Sequence, residues 1–237
     1  MSKSQNDTNS ASAYFNENWM RYQSVLKHNT LYHREMIAAL NGFLSEHYGD
    51  KAFDFVDVGC GDSSTVASVL ADTSITTYIG IDAAKDVLKI AANNVTAIGC
   101  DTSFVADNMT TAIPNLASSV DIIYTSYAVH HLSLEDKFDF INSCKQQLKP
   151  NGVLLLVDGV LEHNQTREAW LDALRKRMGE TIPDLSADEL DFRMKHPSVD
   201  DFPESIETYS TMAKEQAWSS FDVLVDKGTF AFMVFRK

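Results

Sequence analysis

The sequence predicts an α/β protein built on a doubly wound sheet, mostly parallel, with helices on both faces. Three observations predict it. Short apolar runs at residues 53–58, 77–81, 102–105, 120–125 and 153–157 alternate with stretches of helical spacing. The runs are rich in Val and Ile on both faces, as strands covered from both sides are. The first run stops at Gly59-Cys60-Gly61, a strand-to-helix turn almost without side chains.

The elements follow in order. Residues 1–12 are polar and predict disorder. Phe15, Trp19, Tyr22 and Leu26, then Leu31, Met36, Ile37, Leu40, Phe43 and Leu44, recur at helical spacing with a break at His28-Asn29-Thr30, so residues 13–50 predict a helical cap. Residues 133–148 form a helix whose signals agree: Ser133 caps it, Asp136 completes a capping-box pattern, and Leu134, Phe138, Ile141 and Leu148 share one face. Pro150-Asn151-Gly152 is expected to end that helix and turn into the next strand. The alternation then stops over residues 160–219, an insertion with helix-like pieces at 166–178, 187–194 and 203–218. Residues 221–225 and 230–235, joined by Asp226-Lys227-Gly228, close the chain as a β-hairpin.

Bulk properties narrow the function. A net charge of −13 over 237 residues argues against nucleic acid or an anionic membrane as partner, since both need concentrated Lys and Arg. Residues 158–207 carry 13 Asp and Glu against 6 Lys and Arg, which reads as a solvated acidic surface and slightly favours an amine or neutral partner over an anionic one. No apolar run reaches the length of a membrane span, and the N-terminus is polar where a secretory signal would be apolar. Cys60, Cys100 and Cys144 are odd in number and widely spaced, which fits a reducing cytoplasm and gives no metal-ligand pattern.

A glycine pair between strand and helix lets a ligand touch the backbone, and the helix start adds unpaired N–H donors. A lone GxG fits a tight turn as well. The dinucleotide fingerprint needs Gly or Ala where Ser64 stands, and the ending of a phosphate-binding P-loop is absent, so pyrophosphate is not the favoured ligand.

The landmarks taken together narrow this. VDVGCG, then Asp82 in YIGIDAAKDVLKIA, FVADNMT, DIIYTSYAVHHLS and LKPNGVLLLVDG resemble the class I S-adenosylmethionine-dependent methyltransferases, over about residues 52–160. The resemblance implies a Rossmann-like sheet with an antiparallel C-terminal strand in a domain of residues 51–237, S-adenosyl-L-methionine as cofactor, and transfer of a methyl group to a small-molecule acceptor. It implies that Asp57, Gly59 and Gly61 line the methionine half of the cofactor, with Cys60 between the glycines part of the binding turn through its backbone and size and not its thiol. Asp82 would hold the ribose hydroxyls, Asp107, Asn108 and Met109 the adenine, and Thr125 and Ser126 would face the sulfonium. Ser63 stands where the family often has a third glycine. Methylation of a protein or RNA, and a cofactor-binding protein without catalysis, are the alternatives.

Methyl transfer requires no metal and no covalent nucleophile, and no metal site is expected. An acceptor that is a hydroxyl or ammonium must lose a proton, and His130-His131, at the end of the fourth strand, stands where the reacting group would pass. His130 is the candidate base, with His131 beside it; packing or helix-start hydrogen bonding is the competing reading. Tyr14, Trp19, Tyr22, Tyr32, His33 and Arg34 are candidates for a lid, although an aromatic stripe at helical spacing is also what a core requires. His196-Pro197 and Asp200-Asp201-Phe202-Pro203 read as a shaped loop between helices, and His196 as a substrate-side residue by position.

Overall fold

The computed structural model describes residues 20–237. The disorder predicted for residues 1–12 and the lid residues Tyr14 and Trp19 lie outside them. Helical residues 20–27 (α1) lead through a turn at 28–31 into α2 (His33–His47). The sheet strands are β1 (Phe53–Val58), β2 (Ile75–Asp82), β3 (Asp101–Ala106), β4 (Val120–Ser126), β5 (Leu148–Leu161), β6 (Glu204–Ser205), β7 (Ser220–Asp226) and β8 (Phe230–Arg236). Between them run α3 (Ser64–Leu70), α4 (Lys85–Asn94), α5 (Met109–Ala112), α6 (Leu134–Gln147), α7 (Arg167–Thr181), α8 (Ala187–Asp200) and α9 (Ile206–Glu215).

The strand order is β3-β2-β1-β4-β5-β8-β7, with β6 pairing β5. The first five strands are parallel, and β8 runs antiparallel to both β5 and β7. Strand order reverses between β1 and β4, so their C-terminal ends open the crevice where open α/β sheets bind ligands. The period of two along the strands builds two cores. Phe53 and Phe55 pack with Leu40, Val66 and Trp170, which puts α2, α3 and α7 on one face; Val56 and Val58 pack with Phe140 and Met212, which puts α6 and α9 on the other. Among the described residues no helix is long and apolar enough to cross a membrane.

Two expectations are corrected. Pro150-Asn151-Gly152 is not a turn before the fifth strand but a bulge inside it: pairing with β4 shifts between Val120 and Ile122, and Asn151 takes a φ of 66°. The Lys149 ammonium, on that bulge, reaches Asp54 at 2.6 Å and Asp121 at 2.8 Å. His196-Pro197 is not a loop either, because α8 continues through Pro197 to Asp200. Proline there removes one N–H, yet the Ser198 hydroxyl donates to Met194 O at 2.6 Å and Asp201 N–H to Pro197 O at 3.2 Å, so the helix closes its last turn around it. Only Asp201–Pro203 remain loop.

Candidate functional site

The ends of β1, β2 and β4 build a divided cleft. Leaving β1, Gly59 and Cys60 donate their N–H groups to Ile81 O at 2.8 and 3.0 Å, which draws the turn across the tip of β2. Gly59 has φ 67°, and a Cβ on it would stand 2.7 Å from the Ala128 Cβ. A Cβ on Gly61, at φ 52°, would meet nothing within 4 Å. The first glycine is therefore required by the protein itself, and the second leaves open space above the backbone. Gly61 N–H donates to Asp82 Oδ2 at 2.9 Å and Ala84 N–H to Oδ1 at 2.8 Å. Both carboxylate oxygens are fixed in direction and keep further lone pairs for a ligand.

Ser63, in the place of the third glycine, adopts the left-handed conformation at φ 57°. The Tyr78 hydroxyl lies 2.8 Å from both Asp57 Oδ2 and Ser63 Oγ; donating its single proton to the carboxylate, it accepts from the serine. This link offsets the strain that a side chain at positive φ brings. Burial pushes the Asp57 carboxyl up to about 7; the Tyr78 bond acts against the rise, and the nearby charges of Asp82 and Asp62 add to it. Burial also raises the Cys60 thiol, so that side chain serves as packing and its backbone forms the turn.

Two cavities meet at Gly59 and Tyr127. One of about 170 Å³ is lined by Asp57, Gly61, Asp62, Ser126 and, from the cap, Tyr22 and His33; the other, of about 420 Å³, is lined by Asp82, Asp107, Asn108, Met109 and His131. Ligand pockets span roughly 300–1,000 Å³, and the pair fits one elongated molecule bent around Gly59. A third cavity, of about 550 Å³, lies between α1, the end of α7 and α8 and shares Tyr22 with the first. It pairs an apolar wall of Val25, Met178 and Phe192 with Arg21, Arg193, Lys195, His196 and Asp200, and Glu189 holds both arginines, at 3.1 and 2.9 Å.

The predicted residues separate clearly. Asp57, Gly59, Cys60, Gly61, Asp82, Asp107, Asn108, Met109, Ser126, Tyr22, His33, His131 and His196 all line one of these cavities. Thr125 does not: it points to the opposite face of β4 from Tyr124 and Ser126 and is fully buried. Tyr32 and Arg34 do not reach the cleft. Tyr32 lies under the Arg177 guanidinium at 3.5 Å, and Arg34 is exposed and donates to Lys27 O. His33 is buried against the Tyr127 ring at 4.4 Å, with neither ring nitrogen hydrogen-bonded, and burial pushes its imidazole down to about 4. A groove between α6 and α9, lined by Leu134, Phe138 and Met212, holds none of the predicted site residues.

His130 is buried, and its Nδ1 contacts Asp158, a fully buried acid near the end of β5. Its Nε2 lies 3.5 Å from Asp201 Oδ1, and His131 Nδ1 lies 3.2 Å from the same atom. Against the upward pull of burial, His131 first, then His130 and His196, hold the Asp201 carboxyl below its ordinary range. The Asp201 carboxylate in turn raises His131. Asp62, Tyr127 and Asp158 were missed in the sequence. Asp158 had a signal, since it is an acid set between an apolar run and a glycine, much as Asp57 is; Tyr127, held at φ 54° with its N–H on Val157 O, had none.

Comparison with known proteins agrees with this geometry. Residues 55–152 match a family described as a methyltransferase domain. An uncharacterized methyltransferase of Bacillus licheniformis is 25% identical over 161 residues, which is 68% of this chain and 71% of the relative. Among solved structures, the plantazolicin methyltransferase BamL, in complex with a triazolic desmethylPZN analogue and S-adenosylhomocysteine, superposes with a TM-score of 0.64 at 13% identity, covering 97% of this chain and 91% of that one. The magnesium protoporphyrin IX methyltransferase of Synechocystis PCC 6803, with bound S-adenosylhomocysteine, gives 0.62 at 11% identity, covering 90% and 87%. At such identities the two structures share the fold with this chain.

Proposed function

Because the chain carries a class I S-adenosylmethionine-dependent methyltransferase domain and uses S-adenosylmethionine as its cofactor, we propose that it methylates a small-molecule acceptor bound between α1, α7 and α8. The observation that carries this reading is the meeting of the cavities. Tyr22 lines both the Asp57 end of the cleft and the third cavity, and the His131 ring, on the Asp82 side, stands 5.2 Å from the ring of His196.

When bound, S-adenosylmethionine supplies a methyl group already activated on a sulfonium, so the chain has to align, shield and deprotonate. Asp82, with its oxygens fixed by Gly61 and Ala84, accepts the ribose hydroxyls. Asp107, Asn108 and Met109 hold the adenine; Asn108 is kept in place as the cap of α5, accepting from Thr110 N–H at 3.0 Å. Asp57 and the backbone of Gly59 to Gly61 take the methionine end, and Ser126 and Tyr127 stand where the two ends meet. Tyr22 and His33, brought by the cap, exclude water from that junction. His131, which lines the Asp82 side of the cleft, stands where a proton leaves the acceptor; His130 lines none of the three cavities and, held between Asp158 on Nδ1 and Asp201 near Nε2, positions the Asp201 carboxylate that His131 shares. The free thiols of Cys60, Cys100 and Cys144 suit a cytoplasmic enzyme.

The test is calorimetric titration with S-adenosylmethionine, followed by an assay of S-adenosylhomocysteine release against amine, neutral and anionic metabolites with an apolar body. Acceptor-dependent release, with acceptor KM raised by Phe192→Ala and cofactor affinity untouched, is the expected result. Cofactor binding without release for any small molecule, but with methylation of cell-extract protein or RNA, would overturn the small-molecule reading.

A further inference from the structure

We propose that His130, His131 and Asp201 form a binding site for a divalent transition-metal cation of the Zn²⁺ class, beside the cofactor cleft. One donor atom from each residue lies within 4.8 Å of the other two. Asp201 Oδ1 is buried, with His131 Nδ1 3.2 Å and His130 Nε2 3.5 Å away and no well-aligned hydrogen bond to it. His131 Nδ1 also lies 3.2 Å from Asp200 O, so an ion would take this nitrogen from that carbonyl and displace the proton it donates there. Ligands on one tetrahedral ion, with bonds of about 2.0–2.2 Å, stand roughly 3.4 Å apart. The spacing is that of donors converging on a shared ion.

The surroundings favour the same occupant. Asp158 on His130 Nδ1 places the proton there and turns the Nε2 lone pair inward, the arrangement in which an outer carboxylate orients a metal-binding imidazole. Asp201 is held in place from both sides. The Arg167 guanidinium donates to Asp201 O at 2.6 Å and to Ser198 O at 2.9 Å. Phe202 N–H donates to His130 O at 2.7 Å, and the fully buried Lys137 ammonium donates to Leu132 O and Phe202 O at 2.6 Å each. Two segments far apart in sequence are thus locked with their ligating atoms facing. Three protein donors leave a fourth position, and His131, whose side chain is 38% exposed, opens it toward the cleft. Two imidazoles and one carboxylate suit Zn²⁺, Co²⁺ or Fe²⁺ better than Mg²⁺ or Ca²⁺.

Its use rests on the methyltransferase reading: an acceptor hydroxyl on the ion would lose its proton to water, its oxygen would bond the methyl carbon as the carbon–sulfur bond breaks, and S-adenosylhomocysteine would leave with that electron pair; with His131 as a ligand, the ion would take over its part in removing the proton. The site itself does not rest on that reading. The experiment is calorimetric titration of ZnCl₂ into EDTA-treated, desalted full-length protein without cofactor or acceptor, repeated with CoCl₂ while following the visible spectrum. One ion per chain is expected, with a cobalt spectrum of low coordination number. His131→Gln and Asp201→Asn should abolish saturable binding, and Asp158→Asn should weaken it about 10- to 100-fold. His163→Ala, an exposed histidine paired with Glu207, should leave it unchanged. If Asp201→Asn fails to fold, His131→Gln decides alone. Absence of saturable binding, or binding indifferent to both ligand variants, overturns the site. S-adenosylmethionine binding without zinc binding would sink the cation site and spare the methyltransferase reading; zinc binding without turnover of any acceptor would do the reverse.

Discussion

Asp82 is the residue on which the cofactor reading depends most directly. A carboxylate that accepts two hydroxyls from a ribose contributes about 1.5–3 kcal/mol. Asp82→Ala should therefore weaken S-adenosylmethionine binding on the order of ten- to a hundredfold in a calorimetric titration, and an unchanged affinity would place the ribose elsewhere. Gly59 allows a sharper test of the turn. Gly59→Ala puts a Cβ at φ 67° and 2.7 Å from the Ala128 Cβ. A residue held in that conformation costs about 1–3 kcal/mol, visible as a lower urea midpoint, whereas Gly61→Ala, with open space around its Cβ, should fold with only the strain of its φ and lose cofactor affinity instead. Residues of this kind were legible because each breaks a pattern: an acid or a glycine where an apolar run should continue. Thr125 was misread because a strand shows its two faces in alternation, and adjacent residues cannot both face one cleft. His33 could be picked from sequence as a cap residue but not as a buried, unbonded imidazole, since its burial depends on Tyr127 turning at positive φ.

At the scale of elements, the strand ladder could be read from apolar runs, and the insertion could not be read as a site. The sequence shows a helix-like piece at 187–194 and a loop at His196-Pro197; in the structure the helix runs on, because Arg167 supplies donors that its last turn needs, accepted by the carbonyls of Pro197, Ser198 and Asp201. No local signal links an arginine at the start of α7 to carbonyls thirty residues on. Arg167→Ala should lower stability by about 1.5–3 kcal/mol, the range for hydrogen bonds to charged groups. It should also release the Phe202 amide, bonded to His130 O, to faster hydrogen exchange; protection equal to the native protein would mean that Lys137 alone pins the loop. Gly159 plays a related part between α7 and β5. A Cβ there would meet the Trp170 ring at 2.8 Å, so Gly159→Ala should push α7 outward. Since α7 helps to wall the third cavity through Met178 and lines neither the Asp57 nor the Asp82 cavity, acceptor KM should rise while cofactor affinity holds.

For the molecule as a whole, the balance of charge in the cleft makes folding and cofactor binding depend on pH in opposite senses. Asp57 is raised from an ordinary 3.8 to about 7, so between those values the folded chain keeps a proton that the unfolded chain has lost. Stability without cofactor must then fall as pH rises through that window. His33 acts the other way. It is lowered from 6.5 to about 4, so its contribution is complete above pH 6.5 and is lost as pH falls toward 4, where the unfolded chain takes up the proton first. The cofactor brings positive charge to the methionine end, which Asp57 lines, and an ionised carboxylate answers it. Binding below pH 7 should therefore expel the Asp57 proton, and affinity should climb by up to about tenfold per unit from pH 5.5 toward 7 and level off above. Titrations in two buffers of different ionisation enthalpy would count that proton. Asp57→Asn should flatten the profile without removing the His33 dependence of stability, which separates the two groups. A native profile already flat would mean that the positive end of the cofactor lies away from Asp57.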